Sequence, residues 1–441
     1  MTIQPRTICV GLLVVLLGLM SPPAFGQGDE WYEVSKAGLR AAEEGRYQEA
    51  EQLFREALQL SDDYAEDDPR RATSVNNLGY ILHAQGRYPA AEPHYEEALA
   101  MREAALGPDH PDVAQSYNNL AELYRALGRY DEAVEMHRQA LEIRKKAFGP
   151  DHPEVAQSLN NLGVLFATQG DFDKAEPLYQ QALEIRSTSF GDDHLTTAET
   201  RNNLATLYYA QERYDEAQEL YKLALTVEEK ELGPKHPSVA TTLSNLAELH
   251  RVQGRYEEAI EMHGRALEIR EQALGPNHPE TAQSLNNLAV AHYDNQDYES
   301  AEKLYKRSIA IKEMTLGANH PELALTLNNL AELYRKQRRF DEAEPLYNRA
   351  LAIDERSLGA DHPSLALGLN NLALLNFDRG AYVKAESLLK RALAIEERSL
   401  GEEHPELITT LENYAAVLRE LRKHAEAEEA EARANALRAQ L

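Results

Sequence analysis

Histidine is the first residue type in this chain to invite a chemical reading, because imidazole serves as both metal ligand and general base. There are fifteen. Eight form one series, His110, His152, His194, His236, His278, His320, His362 and His404, spaced 42 residues apart, and all but His194 precede proline. Zinc requires three or four ligands at about 2 Å from one centre. One histidine per unit, with units stacked roughly 10 Å apart as packed helices are, does not supply that. Helix capping in a repeated loop is the role this spacing predicts. The only cysteine is Cys9, so a thiol nucleophile or a paired-cysteine metal site is not expected. A Gly-rich phosphate loop, an HExxH pair and an EF-hand pattern are likewise missing. Carboxylates are abundant, 73 acidic against 46 basic residues, but they fall on solvated helix faces. The sequence therefore offers no catalytic residue, no metal ligand set and no cofactor site, and it reads as a non-enzyme.

The repeats dictate the elements that carry these residues. Asn-Asn-Leu begins at Asn76, Asn118, Asn160, Asn202, Asn286, Asn328 and Asn370, and every step is 42 residues or twice that. A third marker, Gly-Arg-Tyr or a relative, ends at Tyr47, Tyr88, Tyr130, Phe172, Tyr214, Tyr256, Tyr298, Phe340, Tyr382 and His424, which makes ten units. Within one unit, Val113, Tyr117, Leu120, Ala121 and Tyr124 fall on a single helical face. Pro111 suits the first helical position, and Asp109 or His110 is placed to cap it. A second helix is predicted from Asp131, through Ala133, His137, Ala140, Leu141 and Arg144, to the stop at Phe148-Gly149-Pro150. Each unit is thus a helical hairpin whose apolar stripe only its neighbours can bury.

Leu120-Ala121, Tyr124, Ala133 and Ala140 resemble the large and small packing positions of tetratricopeptide repeats. The longer 42-residue unit, with Ala-Leu-Glu-Ile-Arg, Leu-Gly-Pro-Asp-His-Pro and Asn-Asn-Leu-Ala, is similar to the repeats of kinesin light chains. The resemblance runs from Trp31 to Leu441. It implies an all-α, right-handed superhelical solenoid of ten helix-turn-helix repeats, with a concave groove lined by the first helix of every unit. The coiled coil by which kinesin light chains dock a motor is not matched, so a role in motor transport is not expected. One solenoid over 27–441 is predicted, closed by a polar capping helix at about 417–441.

Beside the packing face of the first helix lies a polar stripe, Gln115, Asn118, Asn119, Glu122 and Arg125. Stacking makes ladders of the asparagines: Asn118, Asn160, Asn202, Asn286, Asn328 and Asn370 in one, with Asn119 and its equivalents beside it. An amide both donates and accepts, so it matches a peptide backbone. One asparagine of each pair is expected to tie hairpins together and the other to face a ligand. Seven residues after the first asparagine the series varies, and from Tyr209 it alternates Tyr209, Arg251, Tyr293, Arg335, Phe377, Arg419. Glu122, Glu248 and Glu332 each precede an arginine by three residues, a helical ion-pair spacing. The expected groove thus alternates charged and apolar subsites for an extended segment with apolar anchors and acidic or amide groups.

A net charge of −27 disfavours phosphate backbones and anionic lipid surfaces, so neither nucleic acid nor membrane is an expected partner. The apolar run Ile8 to Met20, then Pro22-Pro23 and Ala24-Phe25-Gly26, reads as a signal peptide over 1–26, with an uncleaved N-terminal membrane anchor as the alternative. That run is shorter than the roughly 20 residues of a membrane span. The expectation is an exported, periplasmic or secreted scaffold that binds protein partners, with self-association possible. The alternative is a scaffold in envelope polysaccharide or peptidoglycan handling.

Overall fold

The computed structural model describes residues 29–65, 68–362 and 364–439, so the expected signal segment and Cys9 lie outside it. Among the described residues there are twenty α-helices, one short 3-10 turn and no strand, in ten consecutive hairpins. No helix among them is long and apolar enough to cross a membrane.

The third hairpin, Pro111–Ala126 with Tyr130–Phe148, shows how the sequence enforces this. Pro111 opens the first helix, where its missing N–H costs nothing. His110, and not Asp109, is the cap: its Nδ1 accepts from the Asp112 backbone N–H at 3.2 Å. All eight histidines of the series do this, at 3.1 to 3.3 Å. His194 caps Thr196 even though Leu195 replaces the proline. The second helix begins at Tyr130, one residue before the expected start at Asp131. It ends on Gly149 at φ 88° and ψ 162°, a region that only glycine enters without strain.

Small residues let the two helices approach. Ala121, Ala133 and Ala140 are completely buried, and in the second and fourth hairpins a tyrosine ring of the second helix lies over the small residue of the first. Where that position is Gly163, an added Cβ would sit 2.9 Å from Tyr179, so the ring has moved into the space of a methyl. The second helix then packs on the first helix of the next hairpin, and one apolar core runs from Phe54 through Tyr95, Tyr124, Tyr179 and Tyr221 to Leu249. The Gly-Arg-Tyr arginines strap successive hairpins. Arg129 pairs with Glu92 at 2.6 Å, Arg213 with Glu176 at 3.0 Å and Arg339 with Glu302 at 2.7 Å. Each guanidinium also covers a tyrosine ring, Tyr124, Tyr208 or Tyr334, within 4.1 Å of its centroid.

The array divides into two compact units between Asp297 and Tyr298, at the turn of the seventh hairpin. The first holds six hairpins and the helix Pro279–Asp294; the second holds Tyr298–Thr315 and the last three hairpins. The helix-turn-helix order expected of a single solenoid continues through both units. The capping expectation also shifts. Val417 is buried inside Leu407–Glu420, and the closing helix is His424–Arg438, which buries only Ala427, Ala430, Ala434 and Leu437.

Candidate binding groove

The polar stripe of the first helices is buried and largely spent on itself. Asn118, Asn119, Asn160, Asn202, Asn286, Asn328 and Asn370 are each between 2% and 8% exposed. The second asparagine of one hairpin donates to the first asparagine of the hairpin before it. Asn119 Nδ2 reaches Asn76 Oδ1 at 2.7 Å, Asn203 reaches Asn160 at 3.0 Å, Asn245 reaches Asn202 at 2.9 Å and Asn413 reaches Asn370 at 3.1 Å. Glutamines one turn earlier brace the ladder, as Gln115 does Asn119 at 3.0 Å. At these four joints both asparagines of the contact serve the stack, where one of each pair was expected to face a ligand. The reason is distance: at these joints adjacent first helices run close enough for amide to meet amide, whereas Asn118 bonds His137 at 3.0 Å and keeps its Nδ2 without a partner. Asn202→Leu should orphan the Asn245 donor and cost roughly 1–3 kcal/mol, the penalty for an unsatisfied buried group; denaturant unfolding measures it.

Of the four arginines expected here, Arg419 donates to Glu431 of the closing helix, and two more are closed. Arg251 is 6% exposed. Its Nε and Nη2 donate to both oxygens of Glu248 at 2.8 and 2.6 Å, and its Nη1 meets Asp294 of the next hairpin. Arg335 repeats this with Glu332, at 2.7 Å for both bonds, and with Asp378. Tyr209 donates to Glu248 at 3.1 Å, and Tyr347 donates to Glu332 at 2.9 Å. Burial works against the charge on Arg251, but Glu248 and Asp294 outweigh it and raise its pKa. Asp294 is itself lifted by burial, which Arg251 only partly offsets. These are closed networks with two carboxylates to one guanidinium, so they present no free cation to an acidic ligand.

Arg125 differs. It donates from Nε to Glu122 at 2.9 Å, but the slot of Asp294 and Asp378 holds Thr168 in the following hairpin, and Thr168 donates back to Val164 O at 2.8 Å. About a third of each side chain, 33% for Arg125 and 31% for Glu122, is accessible. Burial alone would raise the Glu122 carboxyl; Arg125 and His137 overcome it and hold the group well below the usual range. On one side stands His83, pushed down to about 4 chiefly by burial, and on the other the small Ala167. Tyr209 and Phe377 are half-buried, each against the aromatic that opens its second helix, Tyr214 at 5.9 Å and Tyr382 at 5.4 Å between ring centroids. Tyr293 is 9% exposed and leaves the accessible set.

The tetratricopeptide repeat model matches nine overlapping stretches, 35–104, 70–146, 112–188, 167–230, 196–272, 238–314, 285–356, 322–395 and 364–440. The chain belongs to the tetratricopeptide-repeat family. Among solved structures it is similar to BtubC (BKLC) from P. vanneervenii, at 28% identity and TM-score 0.41 over 56% of this chain and 93% of that one. It is likewise similar to a putative kinesin light chain with nearly identical TPR-like repeats from Podosopora anserina, and to a point-substituted form of that protein. Both match at 28% identity and TM-score 0.39, covering 47% of this chain and 98% or 97% of theirs. No curated protein matches. Tetratricopeptide arrays are protein-interaction scaffolds, and that is the function class of this chain.

One further column of this repeat array shows in the sequence only as part of the second helix's packing face. Arg102, Arg144, Arg186 and Arg270 are inserted between repeats, each donating to a Ser or Thr hydroxyl of the next first helix at 2.6 to 2.9 Å. Glu228 and Glu396 occupy the same register, and burial pushes both up to about 7. There the hydroxyl reverses its role: Thr410 donates to Glu396 at 2.9 Å while accepting from Asn370 at 2.5 Å. The asparagine ladder and this column are one network at those joints. Among the described residues no group of three His, Cys, Asp or Glu side chains is placed to hold a metal ion.

Proposed function

We propose that this tetratricopeptide-repeat protein binds extended segments of partner proteins along the groove face of its first helices. The observation that carries the reading is the contrast among Arg125, Arg251 and Arg335, which hold equivalent positions. Arg251 and Arg335 are locked by an aspartate from the next repeat, whereas the residue in that slot after Arg125 is Thr168, whose hydroxyl donates to Val164 O instead. A guanidinium with donor capacity left over, beside His83 and a small Ala167, suits a carboxylate on an otherwise apolar segment. Phe377 supplies an apolar contact of the same kind in the second unit. The proposed setting is outside the cytoplasm, on the strength of the Ile8 to Met20 run and the Ala24-Phe25-Gly26 site.

A displayed peptide library selected on the chain should enrich segments with an acidic group flanked by apolar residues. Arg125→Glu is expected to weaken the selected peptides at least tenfold, since truncating a charge-assisted pair costs about 1.5–3 kcal/mol, with helicity unchanged by circular dichroism. Equal binding by Arg125→Glu would remove this anchor from the groove.

A further inference from the structure

Within the first unit the array comes back onto itself. The turn of the first hairpin, between Glu30–Glu43 and Tyr47–Leu60, rests on the start of the helix Pro279–Asp294, six repeats later. His278 Nε2 lies 3.1 Å from the Glu43 carbonyl oxygen, while its Nδ1 accepts from the Glu280 N–H at 3.1 Å. One ring thus serves two contacts, and the pair fixes the tautomer: Nδ1 is the acceptor, so Nε2 carries the proton and donates across the seam. The fit is close on the other side as well. Gly45 is buried at φ 72°, and a Cβ there would meet Pro279 Cδ at 2.6 Å. Gly254, in the same turn position at φ 75°, would meet nothing within 4 Å. His278 and Pro279 are buried, whereas His236 and Pro237, equivalent by sequence, are not.

We infer that Glu43, Gly45, His278 and Pro279 form a latch that closes the first superhelical turn along its seam. The engaged latch closes that seam as a side entrance, and its release opens a further route to the Arg125 face. This gating role rests on the groove being the binding face; the latch itself does not.

The test uses the full chain with Cys9→Ser and a reporter thiol at Ala167→Cys on the groove face. Two variants break the latch, His278→Ala and Gly45→Ala. Each has a matched control that loses the same cap or strains the same turn without touching a seam, His236→Ala and Gly254→Ala. Amide hydrogen exchange over residues 42–47 and labelling of the thiol by a bulky polyethylene-glycol maleimide are followed. Both latch variants are expected to exchange and to label about tenfold faster than their controls, as release of a locally stable contact predicts. Rates equal to the controls would overturn the latch. Faster exchange without faster labelling would overturn the gate, because the contact would then close nothing.

Discussion

Arg251→Ala is expected to cost the first unit about 3–5 kcal/mol, the penalty for removing one partner of a buried ion pair. The guanidinium is nearly inaccessible and joins two repeats: it holds Glu248 on its own helix and Asp294 on the next. Without it, two carboxylates face each other in a site that already lifts Asp294 by burial. One must take up a proton or the repeats must part. Denaturant unfolding of the variant should show the loss, together with a shallower transition as cooperativity between the sixth repeat and its successor weakens. Arg398→Ala is the comparison. Its pair with Asp361 is about two-thirds exposed on both sides, so the change should stay within about 0.5 kcal/mol.

The second large effect depends on pH. Glu228 and Glu396 are 6% and 7% exposed, and each has one carboxyl oxygen without a hydrogen-bond partner. Their pKa is about 7 in the fold against an ordinary 4.5, so folding favours the neutral acid. The stability they contribute is complete below pH 4.5 and is lost as pH rises through 7. Glutamine imitates the neutral acid at every pH. Glu228→Gln and Glu396→Gln should therefore match the parent near pH 4.5 and exceed it at pH 8 by on the order of 3 kcal/mol per site, from about 1.4 kcal/mol per pKa unit. Unfolding at the two pH values is the measurement, and a parallel pH dependence in parent and variants would contradict the assignment.

The fold was legible because its cause is periodic. The 42-residue register, the proline after seven of the eight capping histidines and the glycine that follows the second helix of the second to ninth hairpins are local signals, and in the third hairpin they place both helices to within a residue. The groove was misread for a different reason. Helical spacing tells which residues share a face but not how closely the next helix approaches that face. Asn118 and Arg251 stand where a ligand would reach them on an isolated helix; in the stack they meet their neighbours first. A sequence signal for this existed. Asp294 and Asp378 follow Arg251 and Arg335 by 43 residues, the same interval that separates Asn119 from Asn76 and Asn245 from Asn202, and Arg125 is followed at that interval by Thr168. An interval of one unit plus one residue marks side chains that meet across repeats. The latch was beyond such reasoning. His278 and Glu43 are 235 residues apart, and their contact depends on a small rotation per repeat accumulated over six of them.

The proposed binding places a partner segment on the groove face. A photo-crosslinking residue placed at Thr168, in the slot beside Arg125, and another at Glu184, on the exposed face of the fourth repeat's second helix, would test this with a peptide selected on the chain. Crosslinking from Thr168 that is lost with Arg125→Glu, and none from Glu184, is the predicted result. Crosslinking from Glu184 that ignores Arg125 would contradict it and move the binding face to the outer helices.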